Sequence, residues 1–92
     1  MSAPVTLYTR RLCPYCVRAR RLLEGKGVEF LDIPVDGDRA KRAEMERLSG
    51  GYTVPQIWVG DVHVGGCDEL VALERQGRLD SLLAKAQEAS GR

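Results

Sequence analysis

The sequence predicts an α/β fold in which one four-stranded mixed sheet has helices on both faces. Extended apolar runs alternate along the chain with runs whose apolar residues recur at helical spacing. The first two extended runs are separated by a helical run, a connection that is typical of parallel strands. The last two are separated by only two residues, a connection that is typical of an antiparallel hairpin. The predicted order of elements is therefore β-α-β-α-β-β-α-α.

Length, composition and charge narrow the class of protein further. The 92 residues are 43% hydrophobic and 29% charged, as in one globular domain, residues 1–92. We expect a core over about residues 5–87 and a frayed tail at residues 89–92. A net charge of +1 gives nucleic-acid binding no general electrostatic support. The sequence has neither a signal peptide nor an apolar run of membrane-spanning length, so a cytoplasmic protein is expected.

The first strand and the first helix meet at a turn that contains two cysteines. Val5–Thr9 is β-branched and aromatic, as in a buried strand. Pro14 belongs at the first helical position, where its fixed φ fits and its missing N–H had no partner. Cys13 is therefore expected at or just before the helix start. The helical pattern that follows is set by Cys16, Ala19, Leu22 and Leu23 and is ended by Gly25 and Gly27.

Cys13 and Cys16 form a Cys-x-x-Cys pair that is suited to thiol–disulfide exchange. At a helix start, unsatisfied N–H groups and the positive end of the helix dipole favour a thiolate at Cys13. Arg10 and Arg11 add positive charge nearby. Cys16 lies one turn further along the same face, so we expect it to be more buried and more protonated. The pattern predicts an exposed Cys13 that attacks and a shielded Cys16 that resolves the mixed disulfide.

Other interpretations of these residues stay open at this point. His63 and Cys67 would complete a formal zinc ligand set of three cysteines and one histidine. The chain has enough apolar periodicity to fold without a metal, so none is expected. The arginine-rich run from Arg10 to Arg21 contains no acid. It is either a solvated face or a docking surface for an anionic substrate or partner.

The middle of the chain predicts a second strand and a second helix. The alternating run Val28–Ile33, closed by Pro34, is the strand. Asp36–Asp38 has the residues of a turn and a helix cap, and the charged segment Arg39–Leu48 follows as the helix. Ser49–Gly51 ends it. The apolar face of this helix is thin, so we expect it to be largely exposed.

A proline introduces the third strand, which forms a hairpin with the fourth. Pro55 belongs at the first position of a strand that ends at Val59, because its missing N–H interrupts no ladder there. It also pushes Val54 to an extended conformation, which leaves the backbone groups of that residue free to pair outside a helix. Gly60-Asp61 is the two-residue turn before the strand Val62–Val64. We expect His63 to be an exposed polar residue of the hairpin and not a catalyst. We expect Trp58 to pack against its neighbours.

The last part of the chain predicts two more helices. Gly65 and Gly66 allow a close backbone approach, and the helix that begins behind them offers free N–H groups to an anion. This third helix ends at Gly77. The apolar stripe of the fourth helix consists of Leu79, Leu82, Leu83 and Ala86.

Three motifs in this order resemble those of one family. Cys13-Pro14-Tyr15-Cys16, Thr53-Val54-Pro55 and Gly65-Gly66-Cys67-Asp68 are together similar to the dithiol glutaredoxins, in particular to the bacterial glutaredoxin 3 type, and Tyr8-Thr9-Arg10 precedes the first motif. The resemblance runs from Val5 to Leu83. It implies a thioredoxin fold, a cis peptide bond before Pro55 that faces the dithiol, and a redox protein of electron transport and cell redox homeostasis that uses glutathione as reductant.

The resemblance also implies a glutathione site. Arg10 would contact a glutathione carboxylate as a two-pronged donor, where many relatives have lysine. Tyr15 would line the groove. The other implied contacts come from two loops. In the first loop, Thr53 would shape the site, Val54 would pair with the tripeptide backbone, and Pro55 would face the dithiol. In the second, Gly66 would offer the helix start, and Cys67 and Asp68 would hold the γ-glutamyl end, with Asp68 pairing with its ammonium.

The implied activity is reduction of protein disulfides and glutathione mixed disulfides, with Cys13 as nucleophile and Cys16 as resolving thiol. The implied partners are glutathione, disulfide-containing or glutathionylated proteins and, indirectly, the glutathione reductase system. A monomer without nucleic-acid or membrane partners is expected.

Three alternatives accompany this interpretation. An electron donor served by thioredoxin reductase would lack the glutathione-site residues. An iron–sulfur carrier, in which two chains and two glutathiones share a cluster, usually has neither Pro14 nor Cys16. Cys67 is interpreted as a half-buried packing residue, and the alternative is a reactive regulatory thiol, because a helix start would favour its thiolate too.

Overall fold

The computed structural model of the chain describes residues 3–90 and confirms the predicted order of elements. The strands are β1 (Val5–Thr9), β2 (Phe30–Pro34), β3 (Gln56–Val59) and β4 (Val62–Gly65). The helices are α1 (Pro14–Gly25), α2 (Arg39–Ser49), α3 (Cys67–Arg75) and α4 (Leu79–Ser90). Within residues 3–90, no helix is both long enough and apolar enough to cross a membrane.

The sheet is mixed, as predicted, and its strand order is β2-β1-β3-β4. β1 runs parallel to β2 and antiparallel to β3, and β3 pairs antiparallel with β4. Helix α1 makes the crossover between the two parallel strands. Because β1 has a neighbour on each side, the point where it leads into α1 lies at the middle of one sheet edge.

The core lies on both faces of β1. Val5 and Leu7 are fully buried on one face, where residues of α1, α3 and α4 pack against them. Tyr8 points to the other face and packs with Val35 and with Met45 of α2. The alternation of side chains along a strand explains this division. Met45 is the buried residue of α2, which confirms the prediction of a largely exposed second helix.

The second strand begins and ends later than predicted. Val28 precedes it, because this residue turns into the core and is only 6% exposed. Pro34 belongs to β2 instead of closing it, and it pairs with Thr9. β2 lies at the edge of the sheet, where the missing N–H of a proline can face away from the ladder.

Two other predicted boundaries also change. Pro55 precedes β3, which begins at Gln56. Helix α4 continues through Ser90, so the tail predicted from Ala89 is helical where it is described. Alanine, glutamine and glutamate in the last two turns favour a helix, which explains the extension. The remaining predicted tail residues, 91 and 92, lie outside the described residues.

Candidate active site

The dithiol lies where β1 ends and α1 begins, as the sequence predicts. Pro14 is the first residue of α1 and Cys13 is its N-cap. Leu12 has a positive φ of 55°, which turns the chain between strand and helix. The N–H of Cys16 donates to Sγ of Cys13 over 3.3 Å. The sulfur of Cys13 therefore caps the helix, in the position where a helix start stabilises negative charge.

Both cysteines are buried, so the prediction of an exposed Cys13 is wrong. Cys13 is 3% exposed and Cys16 is 0% exposed. The Cys13 side chain turns back over the first turn of α1 to accept the N–H of Cys16, instead of pointing into solvent. Both residues are free thiols. A disulfide that exchanges with Cys13 must therefore come close to the helix start itself.

The surroundings of Cys16 keep its thiol protonated, as predicted. Burial is the main cause that raises its pKa above the ordinary value of 9.0, and a side-chain interaction with Cys13 raises it further. A backbone hydrogen bond with Arg10 and the charge of Arg20 act in the opposite direction. A protonated Cys16 suits the second step of an exchange reaction better than the first.

A polar network pairs part of the arginine-rich run with acids from distant elements. Thr9 is 2% exposed, and its hydroxyl donates to Oδ1 of Asp32 over 2.5 Å. Nη1 of Arg20 donates to the other oxygen of this carboxylate over 2.9 Å. Nε of Arg11 lies 4.0 Å from a carboxylate oxygen of Asp36. Acids of β2 and of the following turn thus neutralise two members of the run, so it is not one uniform basic surface.

The sheet register brings the predicted site residues to one edge. Tyr8 of β1 pairs with Gln56 of β3, and Ile57 of β3 pairs with Gly65 of β4. The end of β1, the beginning of β3 and the end of β4 therefore lie side by side. The segments that carry the predicted site residues all meet at this edge: 10–16, 53–55 and 66–68.

Two of these segments are in close contact at the start of α3. The Val54–Pro55 peptide bond is cis, as the resemblance implies. Pro55 is buried, Val54 is half-buried and Thr53 is exposed. A Cβ atom placed on Gly66 would lie 3.5 Å from the carbonyl oxygen of Pro55. The loop before α3 therefore lies close to the loop before β3.

Cys67 is the first residue of α3 and is 3% exposed. Burial is the main cause that raises its pKa above 9.0. Arg18 lowers the pKa in part, whereas the charges of Asp68 and, more weakly, of Cys13 and Glu69 raise it. Cys67 belongs to the same buried cluster as Ala19 and Leu23, so α3 begins against the helix that carries the dithiol. The expectation that the helix start favours a Cys67 thiolate is wrong, and its burial supports the packing interpretation.

Three other predicted binding residues expose their side chains around the buried thiols. Tyr15 is 57% exposed, and Arg10 and Asp68 are exposed. Nη1 of Arg10 donates to the backbone carbonyl of Arg11 over 3.4 Å, a long hydrogen bond at the surface. Exposed side chains beside a buried thiol are free to contact a ligand that reaches it.

Sequence reasoning does not identify two further polar residues at this edge. Nη1 of Arg42, from the exposed helix α2, donates to the backbone carbonyl of Tyr52 over 3.4 Å. Gln56 is 7% exposed, and its side chain is hydrogen-bonded to both Thr53 and His63. The position of Gln56 directly after the proline is a signal that could have identified it. Arg42 is one of several charged residues in its helix, so the sequence alone does not distinguish it.

The hairpin rings behave as predicted. His63 is exposed and stacks on Trp58, with ring centroids 4.6 Å apart. Trp58 also packs against Tyr8 in an edge-on contact at 5.4 Å. Within residues 3–90, no three side chains of histidine, cysteine, aspartate or glutamate are grouped closely enough to hold a metal ion.

Comparison with known proteins places these features in one family. The sequence model of the family Glutaredoxin matches residues 5–64. The chain is 58% identical over 81 residues to Glutaredoxin of Pseudomonas aeruginosa, and this alignment covers 88% of the chain and 96% of that protein. It is 54% identical over 81 residues to Glutaredoxin 3 of Escherichia coli K12, covering 88% of the chain and 98% of that protein. The crystal structure of a buckwheat glutaredoxin–glutathione complex superposes with a TM-score of 0.84 at 29% identity, covering 91% of this chain and 79% of that one.

Proposed function

The chain belongs to the glutaredoxin family and is a glutathione-dependent thiol–disulfide oxidoreductase, and we propose that Cys13 is its nucleophile and Cys16 its resolving thiol. The observation that carries this assignment is the hydrogen bond of 3.3 Å from the Cys16 N–H to Sγ of Cys13. It stabilises negative charge on the sulfur of Cys13. Burial, and in second place a side-chain interaction with Cys13, raise the pKa of the Cys16 thiol and favour its protonated form. The two thiols can therefore divide attack and resolution between them.

With a glutathionylated protein, the proposed reaction needs Cys13 alone. The Cys13 thiolate attacks the glutathione sulfur, a new disulfide forms between Cys13 and glutathione, and the protein thiolate leaves and takes up a proton. A second glutathione thiolate then attacks the glutathione sulfur of the adduct. Glutathione disulfide forms, and Cys13 leaves as the thiolate that began the cycle.

With a protein disulfide, the proposed reaction uses both thiols. Cys13 attacks one sulfur of the substrate, and the other sulfur leaves as a thiolate. Cys16 gives up its proton and attacks Sγ of Cys13, which releases the reduced substrate and leaves a Cys13–Cys16 disulfide. Two glutathione molecules then reduce this disulfide and become glutathione disulfide. The separation of 3 positions within the first turn of α1 lets the two sulfurs reach each other.

The proposed glutathione site is formed by the three segments that meet at the sheet edge. Thr53 and Val54 offer an extended backbone, and the first turn of α3, which follows Gly66, offers its N–H groups to an anion. Cys67 and Asp68 would hold the γ-glutamyl group, and Asp68 would pair with its ammonium. At the other end of the tripeptide, the exposed Arg10 would bind a carboxylate, and Tyr15 and Pro55 would line the groove.

Arg42 extends this proposed site. Its guanidinium donates to the carbonyl of Tyr52, one residue before the Thr53 loop. A guanidinium beside the Thr53 loop would give the glycine carboxylate a cationic partner in addition to the proposed Arg10. An Arg42→Gln variant, which keeps a donor but loses the charge, should raise the KM for glutathione by roughly threefold to tenfold, which is the range expected for a charge-assisted contact at an exposed site.

The first experiment is a coupled assay in which a small mixed disulfide is reduced with glutathione and glutathione reductase. A parallel reaction replaces these two components by thioredoxin reductase. Turnover with glutathione alone supports the proposal, and Cys13→Ser is the variant that must abolish it. Turnover with thioredoxin reductase alone would keep the dithiol chemistry and contradict the proposed glutathione site.

We propose further that the chain is one domain that acts as a monomer in a reducing compartment such as the cytoplasm. The residues of the proposed site all come from one chain, so a second copy is not needed to complete it. Light scattering of the anaerobically purified protein tests this directly. A colourless monomer supports the oxidoreductase, whereas a coloured dimer would support the glutathione-ligated iron–sulfur carrier.

A further inference from the structure

The only histidine of the chain is connected to the cis-proline loop by a chain of hydrogen bonds. Nε2 of His63 lies 2.8 Å from Oε1 of Gln56. Nε2 of the Gln56 amide lies 3.4 Å from Oγ1 of Thr53. The three residues belong to β4, to the start of β3 and to the loop before it. A surface histidine on the hairpin is therefore linked, through Gln56, to the loop that the proposed glutathione site uses.

The chemistry of these groups gives the chain one direction. A glutamine carbonyl oxygen can only accept, so His63 donates from Nε2 to Gln56. The amide nitrogen of Gln56 can only donate, so Oγ1 of Thr53 accepts from it. Because Oγ1 of Thr53 already accepts, its own hydroxyl hydrogen stays available for donation to a ligand. Hydrogen bonds in such a series polarise one another and favour this arrangement as a unit.

We propose that His63 is a positioning residue, which acts through Gln56 to orient the hydroxyl of Thr53 as a donor to a carbonyl or carboxylate oxygen of glutathione. The inference rests on the proposed function, because it assumes that glutathione lies against the Thr53 loop. His63 itself does not touch the reacting sulfurs. It acts on the affinity for glutathione and not on the attack by Cys13.

The surroundings of Gln56 leave its amide little freedom. Gln56 is 7% exposed, so a wrongly oriented amide would leave a buried polar group without a partner. A Cβ atom placed on Gly51 would lie 3.3 Å from Nε2 of Gln56, so this glycine provides the space in which the amide nitrogen lies. His63 is held in turn by its stacking on Trp58. The stacking restricts the plane of the ring to one in which Nε2 reaches Gln56.

Two substitutions of His63 separate the hydrogen bond from the stacking. His63→Phe keeps an aromatic ring on Trp58 but has no donor. His63→Gln loses the ring but places an amide nitrogen where Nε2 of the imidazole was. We expect His63→Phe to raise the KM for glutathione roughly threefold to tenfold, as for the loss of one net hydrogen bond, with kcat unchanged. His63→Gln should restore most of the affinity.

A third substitution reverses the direction of the chain. Gln56→Glu has nearly the same shape, but both of its oxygens accept, so the Thr53 hydroxyl donates to it and no longer to the ligand. This variant should raise the KM for glutathione at least as much as His63→Phe does. The rate at which iodoacetamide alkylates Cys13 should be the same in all variants and in the unmodified protein, because the helix start is not changed.

The kinetic assay distinguishes the failure of this inference from the failure of the proposed function. If the unmodified protein shows no saturable dependence on glutathione, the proposed site itself is wrong and the inference falls with it. If it does, and His63→Phe and His63→Gln change the KM equally, then stacking and not donation matters and the inference is overturned. Unchanged KM values in His63→Phe and Gln56→Glu would overturn it as well. Thermal unfolding of each variant checks that the fold is retained.

Discussion

Helices α1 and α3 begin at the same edge of the sheet, and each has a buried cysteine at its start. In both, the residue before the N-cap has a positive φ: 55° at Leu12 before α1 and 110° at Gly65 before α3. Cys13 and Cys67 are each 3% exposed. By helix-start arguments alone, the two cysteines would be expected to react alike.

The environments of the two sulfurs differ in position and in charge. Cys13 is the N-cap of α1, so its side chain accepts a backbone N–H of the first turn. Cys67 is one residue further into α3, and the N–H of its N-cap is bonded instead to Oε1 of Glu69 at 2.7 Å. The first turn of α1 has no acid, whereas that of α3 has Asp68 and Glu69. The sulfur of Cys13 thus accepts a backbone N–H in a turn without acids, whereas Cys67 begins a turn that contains two carboxylates.

The largest expected effect is on glutathione-dependent turnover when the sulfur of Cys13 or that of Cys67 is removed. Cys13→Ser should lower glutathione-dependent turnover by more than about a thousandfold, as in other enzymes that lose their nucleophile. Cys67→Ser should lower turnover far less, because it keeps the backbone of the proposed γ-glutamyl site and removes only a sulfur that is not the proposed nucleophile. The coupled glutathione reductase assay measures both. Equal losses in the two variants would remove the distinction between the two helix starts.

The next effect separates the two thiols of α1. Cys16→Ser should keep most of the deglutathionylation activity and lose the reduction of protein disulfides, because only the second reaction needs a resolving thiol. A glutathionylated peptide and insulin are suitable substrates for the two measurements. A comparable loss of deglutathionylation in Cys16→Ser and Cys13→Ser would contradict the assignment of roles.

A pH dependence of stability should mark Cys67 as a buried neutral thiol. Its folded-state pKa is raised above the ordinary 9.0, mainly by burial. A group with a raised folded pKa contributes stability that is fully present below its unfolded pKa and is lost as the pH rises through its folded pKa. Cys67→Ala should therefore reduce the loss of unfolding free energy between about pH 8 and pH 10.5.

Urea unfolding under reducing conditions at these two pH values measures the effect. Cys16 is present in both proteins, and its raised pKa contributes equally to both. The difference between the two proteins therefore belongs to Cys67. An alkaline loss of the same size in both would show that the Cys67 thiol is not buried in neutral form.

The smallest effect concerns the residues that precede the two caps. A Cβ atom on Gly65 would lie 3.1 Å from Oε1 of Glu69, and the φ of 110° disfavours every other residue. Gly65→Ala should destabilise the fold by about 1–2 kcal/mol. Leu12 is 95% exposed and makes no such contact. Leu12→Gly relieves the strain of the positive φ but makes the unfolded chain more flexible, so it should stabilise the fold by less than about 1 kcal/mol. Thermal unfolding measures both, and a destabilising Leu12→Gly would contradict this account.

The order of elements and the place of the dithiol could be predicted because they depend on local signals. Strand and helix periodicity, Pro14 at the first helical position and the glycine punctuation all act within a few residues. The Thr53–Pro55 loop and the start of α3 were predicted by resemblance. These two segments lie at one sheet edge with the dithiol because β1 pairs with β3, and β3 pairs with β4.

The parts that could not be predicted depend on contacts between distant segments. The burial of Cys13 could not be predicted, because nothing in the neighbouring sequence indicates that its side chain turns inward. The sequence shows Arg20 only in a run without acids, because its partner, Asp32, lies 12 positions away in β2. Cys67 was given the alternative of a reactive thiol because the effect of burial on its pKa is not visible in the sequence. Burial and long-range pairing decide these features, and periodicity does not report them.

The central claim is that Cys13, and not Cys67, is the thiol that exchanges with glutathione. The most direct test treats the reduced Cys16→Ser variant with one equivalent of glutathione disulfide at neutral pH and maps the adduct by peptide mass spectrometry. In this variant the adduct cannot be resolved by the second thiol of α1. The account predicts glutathione on Cys13, with Cys67 unmodified. An adduct found mainly on Cys67 would contradict it.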